Sequence, residues 1–157
     1  MTITVGTNSY ITRAAAIAYA AERGVTLADT AATDVLLIKA TDYMETLEGR
    51  YRGTRTEADQ ALAWPRSGAI IRGYEADDET VPALVEQVQK ELVLDLNGGV
   101  DLYNRTDRQH VTRERVDGAV EVAYAEPTVV GERVIQSQAM ALLRQITRGQ
   151  AIILERS

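Results

Sequence analysis

The sequence predicts a mainly α fold: a helical bundle of three to four helices with a β-hairpin or extended arm and a C-terminal helix and tail. The first observation is length, because 157 residues suffice for one domain with one modest core. The second is that the chain has one Trp and no Phe, so its interior must consist mainly of Ala, Val, Leu and Ile. Such small side chains let helices pack closely, and several segments repeat apolar residues at helical spacing.

Two helices are predicted in the N-terminal third. The segment "YITRAAAIAYAAERG" has Thr12 as its N-cap residue and Gly24 to end it. The segment "TDVLLIKATDYMETLEG" forms the second helix, which ends at Gly49. Its apolar residues at helical spacing are Leu36, Ala40, Tyr43, Met44 and Leu47.

A short helix is predicted before the only Trp of the chain. Thr56 and Asp59 resemble a capping box, which would begin a helix that continues through Ala63. Because a residue that precedes proline is pushed towards extended conformations, this helix is expected to stop at Trp64.

A further long helix follows the acidic stretch "YEADDET". Pro82 lies near its start and Gly98 ends it. The apolar face consists of Leu84, Val85, Val88, Leu92 and Leu96.

The C-terminal part of the sequence changes character. Val120, Val122 and Tyr124 alternate at period two, and Asp117 and Gly118 supply a turn, so this region is predicted to form a β-hairpin or extended arm. The helix that follows has apolar residues in register at Ile135, Ala139, Leu142 and Ile146. We expect one domain with a helical core at 1–109, the arm at 110–126, and a C-terminal helix and docking tail at 127–157.

Composition and charge restrict the classes of function. The net charge of -6 opposes non-specific binding to phosphate backbones, which depends on clustered Lys and Arg. The chain has no Cys, which excludes thiolate chemistry and fits synthesis in a reducing cytoplasm. No apolar run has the length of a membrane span and the N-terminus lacks a secretion signal, so we expect a soluble, unprocessed protein without a membrane partner.

The sequence contains no recognisable catalytic or cofactor motif. His110 is the only histidine, so a zinc site or a His-based triad is not expected. The stretch "LNGGVD" lacks the residues of a phosphate loop, and a calcium loop fails at Val100 and Thr106. The acidic residues at 75–79 are interpreted as a solvated loop. We therefore expect no enzymatic activity, no metal and no cofactor.

Several motifs resemble one protein family in the same order along the chain. They are "NSY" at 8–10, "AYAAERG", "ATDYME", "QALAWPRSG", "VPALVEQVQKEL" and "RERVDGAVEVAY". The family is a tailed-phage family labelled DnaT-like single-stranded-DNA-binding, and it also looks like the head-to-tail connector or adaptor proteins. The resemblance to adaptors implies a subunit of a dodecameric homo-oligomeric ring in the neck of the virion. This ring would lie between the portal protein and a tail or neck protein, and its subunits would be made in the host cytoplasm.

Composition distinguishes between the two functions attached to this resemblance. Single-strand binders combine a basic groove with several exposed aromatic residues. This chain is acidic and has a single Trp, whereas an acidic ring would let double-stranded genomic DNA pass without specific binding. Composition thus favours the head-to-tail adaptor, with single-stranded-DNA binding in phage replication as the alternative.

The candidate site residues follow from these interpretations. Trp64 and Pro65 are predicted to be a structural anchor that closes a loop onto the core. Arg66 is predicted either to pair with a carboxylate of a neighbouring subunit or to form an ion pair within the chain. In the tail, a subunit or portal interface is predicted at Arg144, Arg148, Ile152, Ile153 and Leu154, with a last helix packed on the bundle as the alternative.

Overall fold

The computed structural model describes residues 2–103 and 137–148 of the chain. The α-helices are α1 (Arg13–Ala21), α2 (Ala31–Glu45), α3 (Ala83–Asn97) and α4 (Gln138–Ile146), and a 3-10 turn spans Glu48–Arg50. The strands are β1 (Thr54–Arg55), β2 (Arg66–Ser67), β3 (Ile70–Ile71) and β4 (Tyr74–Glu75). The described part is thus mainly helical, with two small antiparallel sheets.

The helices begin where side-chain caps are available. The hydroxyl groups of Thr12, Thr30 and Ser137 accept hydrogen bonds from backbone N–H groups in the first turns of α1, α2 and α4. After α1, Gly24 adopts a positive φ of 71° and ends the helix. The predicted start and end of the first helix are confirmed.

Helix α3 lies at the centre of the fold and packs against α1, α2 and α4. Its predicted apolar face is confirmed at four buried positions, while its fifth residue is only half-buried; the buried residues are Leu84, Val85, Val88 and Leu92. In α4 the predicted residues Ala139, Leu142 and Ile146 are buried as well. In α2 the prediction is confirmed at the fully buried Ala40 and Met44, whereas Leu36 is half-buried and the fully buried Leu37 was not predicted.

A buried glutamine joins three segments of the core. The Gln89 side chain on α3 donates to Ser9 Oγ and Thr41 Oγ1, each at 2.8 Å, and to the Leu37 carbonyl at 3.2 Å. Its Oε1 accepts from the Tyr10 N–H at 3.0 Å. Every polar atom of this amide therefore has a partner, which burial requires.

The short helix predicted from Thr56 to Ala63 is wrong. The segment forms turns that connect β1 to β2, which pair with Thr54 opposite Ser67. The Gln60 amide donates to the carbonyls of Leu62 and Pro65 at 2.7 and 3.0 Å. Side chains thus occupy the backbone acceptors around the turn, and such local bonds compete with helix formation.

Strands β3 and β4 form a hairpin with a two-residue turn. Ile71 pairs with Tyr74, and the turn residues Arg72 and Gly73 both have positive φ, 53° and 86°. Two successive residues with positive φ are the signature of a type I′ turn, which matches the twist of a hairpin.

Several predictions concern residues outside the described ranges. They are the hairpin or arm at 110–126 with its turn at 117–118, the position of Ile135, and the tail residues Ile152, Ile153 and Leu154. In the ranges that are described, no helix combines the length and the apolar character needed to cross a bilayer.

Candidate functional site

The Trp-Pro-Arg turn, residues 64–66, is part of the core. Trp64 is 2% exposed, and its ring centroid lies 5.5 Å from that of the buried Tyr51. The peptide bond between Trp64 and Pro65 is cis. A buried indole is inaccessible to a DNA base, so Trp64 provides no stacking platform in this structure.

Arg66 is held by contacts within the chain. Its side chain is buried, and its guanidinium donates to the carbonyls of Arg52 at 2.9 Å, Ala63 at 3.2 Å and Gly53 at 2.8 Å. The guanidinium also lies 3.7 Å from the Glu48 carboxylate. This contact is an ion pair within the chain, which is one of the two alternatives predicted for Arg66. A contact between Arg66 and another subunit stays a prediction.

Two carboxylates, one at the end of α2 and one in the 3-10 turn, form hydrogen bonds around the Trp-Pro-Arg turn. Glu48 binds Arg55 through both oxygens, at 2.5 and 2.8 Å, and this pairing lowers the pKa of the Glu48 carboxyl. Glu45 accepts from the Tyr10 hydroxyl at 2.5 Å and from the Ala63 N–H at 2.8 Å. Burial raises the pKa of Glu45, although its hydrogen bonds act in the opposite direction. The turn and its carboxylates form a structural hub.

A second feature lies where the end of α4 meets the 3-10 turn. Tyr51 and Thr147 form an isolated antiparallel bridge, and the Arg148 N–H donates to the Arg50 carbonyl at 2.6 Å. Tyr51 and Thr147 are buried, whereas Arg50 and Arg148 are exposed. The bridge therefore brings the two exposed arginines, each next to a bridge residue, to the same place on the surface.

Two further arginines connect this point to the β3–β4 hairpin. Arg52 donates from Nη1 to the Ile70 carbonyl at 3.1 Å, and Arg72 donates from Nε to Gln145 Oε1 at 2.8 Å. Arg50, Arg52, Arg72 and Arg148 together are called the arginine surface below. Three separate parts of the chain contribute to it.

The arginine surface differs from the other basic side chains in its pairing. Ion pairs to carboxylates involve Arg13, Arg23, Arg55, Arg66 and Lys90. Among residues 2–103 and 137–148, no carboxylate lies within ion-pair distance of the four members of the arginine surface. Positive charge is therefore locally unbalanced there although the net charge of the chain is -6.

Two details of the hairpin stand beside this charge. Tyr74 is 80% exposed, directly after the turn that carries Arg72. Arg72 has a φ of 53°, and a left-handed conformation costs a residue with a Cβ roughly 1–2 kcal/mol. Asn, Asp or Gly is preferred at this position of a type I′ turn. Arginine therefore occupies the position although its backbone disfavours a positive φ.

The structure separates the residues that the sequence grouped together. Trp64, Pro65 and Arg66 lie in the hub, while Arg148 belongs to the arginine surface and Arg144 is exposed on α4. Sequence reasoning missed the other members of the arginine surface and Tyr74. The turn residues Arg72 and Gly73, flanked by β-strand formers, were a signal for the hairpin, but no pattern in the sequence joins it to Arg50 and Arg148.

Comparison with protein families identifies the family of this chain. A family model described as "Putative DnaT-like ssDNA binding protein" matches residues 2–157. No curated protein and no solved structure matches the chain.

This match corrects the adaptor interpretation. The family is not one of head-to-tail connectors, so the virion ring, the portal and neck partners, and the passage of double-stranded DNA without binding are withdrawn. The error has a physical reason: net charge and the single Trp described the chain as a whole, whereas binding depends on local charge and exposed rings. Because the family model covers the chain from residue 2 to residue 157, the protein belongs to the DnaT-like family whose description is single-stranded-DNA binding.

Proposed function

We propose that this protein binds single-stranded DNA and that binding, not catalysis, is its function. The family match over residues 2–157 carries the proposal. The structure supports it with a surface on which four arginines lie together without carboxylate partners among the described residues. Guanidinium groups suit phosphate because their N–H groups form a planar fork.

The net charge of -6 shapes the expected binding. Repulsion between the acidic remainder of the molecule and DNA opposes association, so affinity depends on the few arginines that reach phosphates. In this proposal the four helices form one bundle that holds these arginines in fixed positions. A rigid support lowers the entropy cost of ordering long side chains on binding.

Titration of a fluorescent oligo-dT of about 20 nucleotides, followed by anisotropy, tests the proposal. Four phosphate contacts predict a slope of about -3 for the logarithm of affinity against the logarithm of salt, or roughly 50-fold weaker binding between about 50 and 200 mM. A duplex of equal length is the control, and we expect it to bind less tightly because its bases cannot stack on the protein. Absence of binding to oligo-dT at the lowest salt would contradict the proposal.

The absence of catalysis is tested on the same complex. The oligonucleotide is incubated with the protein and Mg²⁺ and is then separated by length. We expect it to be recovered intact, because the protein is proposed to act by binding alone. Progressive shortening of the strand would show that the protein is an enzyme.

A further inference from the structure

We propose that the arginine surface holds the phosphates of a single DNA strand and that Tyr74 stacks against one of its bases. This rests on the proposed function and goes further by naming the site and the role of each side chain.

The arginine surface is assembled by specific bonds. The Arg148 N–H donates to the Arg50 carbonyl, and the Arg72 guanidinium donates to Gln145, two residues before Thr147 along the chain. Arg52 bonds the Ile70 carbonyl of β3. These bonds tie the 3-10 turn, the β3–β4 hairpin and the end of α4 to one another, so the backbone positions that carry the arginines are fixed before DNA arrives.

Within residues 2–103 and 137–148, most side-chain N–H groups of this surface have no hydrogen-bond acceptor and can bind phosphate. A guanidinium has five N–H donors, and the bonds described above use one donor of Arg52 and one of Arg72. The bond at Arg148 uses its backbone N–H, which leaves its side chain unaffected. Two or more N–H groups of one guanidinium can therefore bind the oxygens of one phosphate side by side.

Tyr74 supplies the flat surface that single-strand binding needs. Its ring is 80% exposed, and the two-residue turn places it next to Gly73 and close in sequence to Arg72. Exposure of a large ring is unfavourable unless something covers it, and a DNA base has a π face of suitable size. A phosphate on Arg72 and a base on Tyr74 can belong to neighbouring nucleotides of one strand.

Acidic residues limit the surface on one side. Glu75 follows Tyr74 directly, and Asp77, Asp78 and Glu79 lie in the next loop, where they are exposed. Phosphates are repelled from this loop. The strand is therefore expected to run from Tyr74 and Arg72 towards Arg50 and Arg148, away from the acidic loop.

The test uses the full chain, oligo-dT as the probe, and variants matched in charge or size. Arg50→Gln and Arg148→Gln each remove one positive charge from the surface, and Lys39→Gln removes one from an exposed position on α2. We expect each arginine variant to bind about three- to tenfold more weakly and to reduce the salt slope by about 0.7, with less than a twofold change for Lys39→Gln. Arg50→Lys and Arg148→Lys, which keep the charge, should keep the slope.

The aromatic part is tested in the same way. Tyr74→Ala should weaken binding about tenfold without changing the salt slope, and Tyr74→Phe should bind like the unmodified protein, because stacking needs the ring but not the hydroxyl. Tyr103→Ala is the matched control, since Tyr103 is 61% exposed at another place. Thermal unfolding of each variant verifies that the fold is kept.

The outcomes separate this proposal from the proposed function. If the unmodified protein binds oligo-dT and every variant of the arginine surface and of Tyr74 binds equally well, the site lies elsewhere and only the present proposal is overturned. If the unmodified protein does not bind oligo-dT, both the proposed function and the proposed site are wrong. Weakening by the arginine variants equal to that by Lys39→Gln would show general charge attraction and would also overturn the site.

Discussion

At the scale of single residues, Gly53 explains how the Trp-Pro-Arg turn closes against its neighbours. Gly53 has a φ of 71°, and its carbonyl accepts from the Arg66 guanidinium at 2.8 Å. A Cβ at this position would lie 2.4 Å from the Ser67 carbonyl oxygen and 2.8 Å from the Ala69 nitrogen. Both atoms belong to backbone, so they cannot move aside as a flexible side chain could.

We expect Gly53→Ala to destabilise the protein strongly. The positive φ costs about 1–2 kcal/mol, and the overlap with backbone atoms adds about 1–3 kcal/mol. Gly68→Ala is the matched control, because Gly68 has a φ of 68° with nothing within 4 Å of the added Cβ. Urea unfolding of both variants measures the difference, and equal losses would show that the close approach contributes nothing.

The buried carboxyl of Glu45 gives a prediction about pH. Its pKa is raised above the ordinary 4.5 chiefly by burial, so the folded state binds its proton more tightly than the unfolded state does. The stability that this proton contributes is complete below pH 4.5 and is lost as pH rises through the raised pKa. Glu45→Gln should therefore cost most stability at low pH and progressively less as the pH increases.

Glu48 provides the control with the opposite sign. Its pKa is lowered, chiefly by the hydrogen bonds from Arg55, so its contribution is present above pH 4.5 and is lost as pH falls through the lowered pKa. Free energies of unfolding measured across this range should show the cost of Glu48→Gln increasing with pH while that of Glu45→Gln decreases. Parallel pH profiles for the two variants would contradict the assignment.

At the scale of elements, the conformation of the β3–β4 hairpin can be tested separately from its proposed role in binding. Arg72 occupies a turn position at which Asn is preferred, and its φ is 53°. Arg72→Asn should leave the free energy of unfolding unchanged or raise it by up to about 1 kcal/mol, because the bond to Gln145 that it removes is exposed and weak. The same change should weaken binding of oligo-dT.

Thermal unfolding and anisotropy titration of Arg72→Asn measure the two effects separately. Weaker binding with unchanged or higher stability would indicate that Arg72→Asn removes a phosphate contact and leaves the hairpin intact. If both decreased together, Arg72 would be acting as a structural residue, and its part in the arginine surface would have to be abandoned.

The elements also show what could be predicted from the sequence. Helices α1, α3 and α4 were predicted because apolar residues repeat at helical spacing over several turns and because caps such as Thr12 are readable. The two-residue strands were missed because a pair of residues has no period. The capping box at Thr56 failed because the side chains of Arg55 and Gln60 bind the backbone there.

The candidate site was less accessible to prediction. Arg72 meets Gln145 across 73 residues, and Arg50 meets Arg148 across an even longer stretch. Neither contact can be predicted from a local sequence pattern, because its two residues are far apart in the chain. An isolated arginine in a sequence looks the same whether it pairs with a carboxylate, as Arg55 does, or remains available, so only the fold distinguishes the two cases.

At the scale of the whole molecule, overall charge and local charge have different consequences. The net charge of -6 led to the expectation that DNA would not bind, yet the arginines that pair with carboxylates contribute little to the outer field. Among residues 2–103 and 137–148, Arg50, Arg52, Arg72 and Arg148 have no carboxylate within ion-pair distance. In the proposed function, a local basic surface on an acidic protein would orient a bound strand, because acidic regions repel phosphates.

The hydrogen bond from Arg148 to Arg50 has a consequence for the order in which the molecule is made. A ribosome releases Arg50 and Arg72 long before Arg148, so the nascent chain can build its N-terminal helices while this bond is still missing. Closing so long a loop is entropically costly and belongs late in folding. Affinity for DNA would thus arise only after translation has passed residue 148 and α4 has docked, so partly synthesised chains would leave single strands unoccupied.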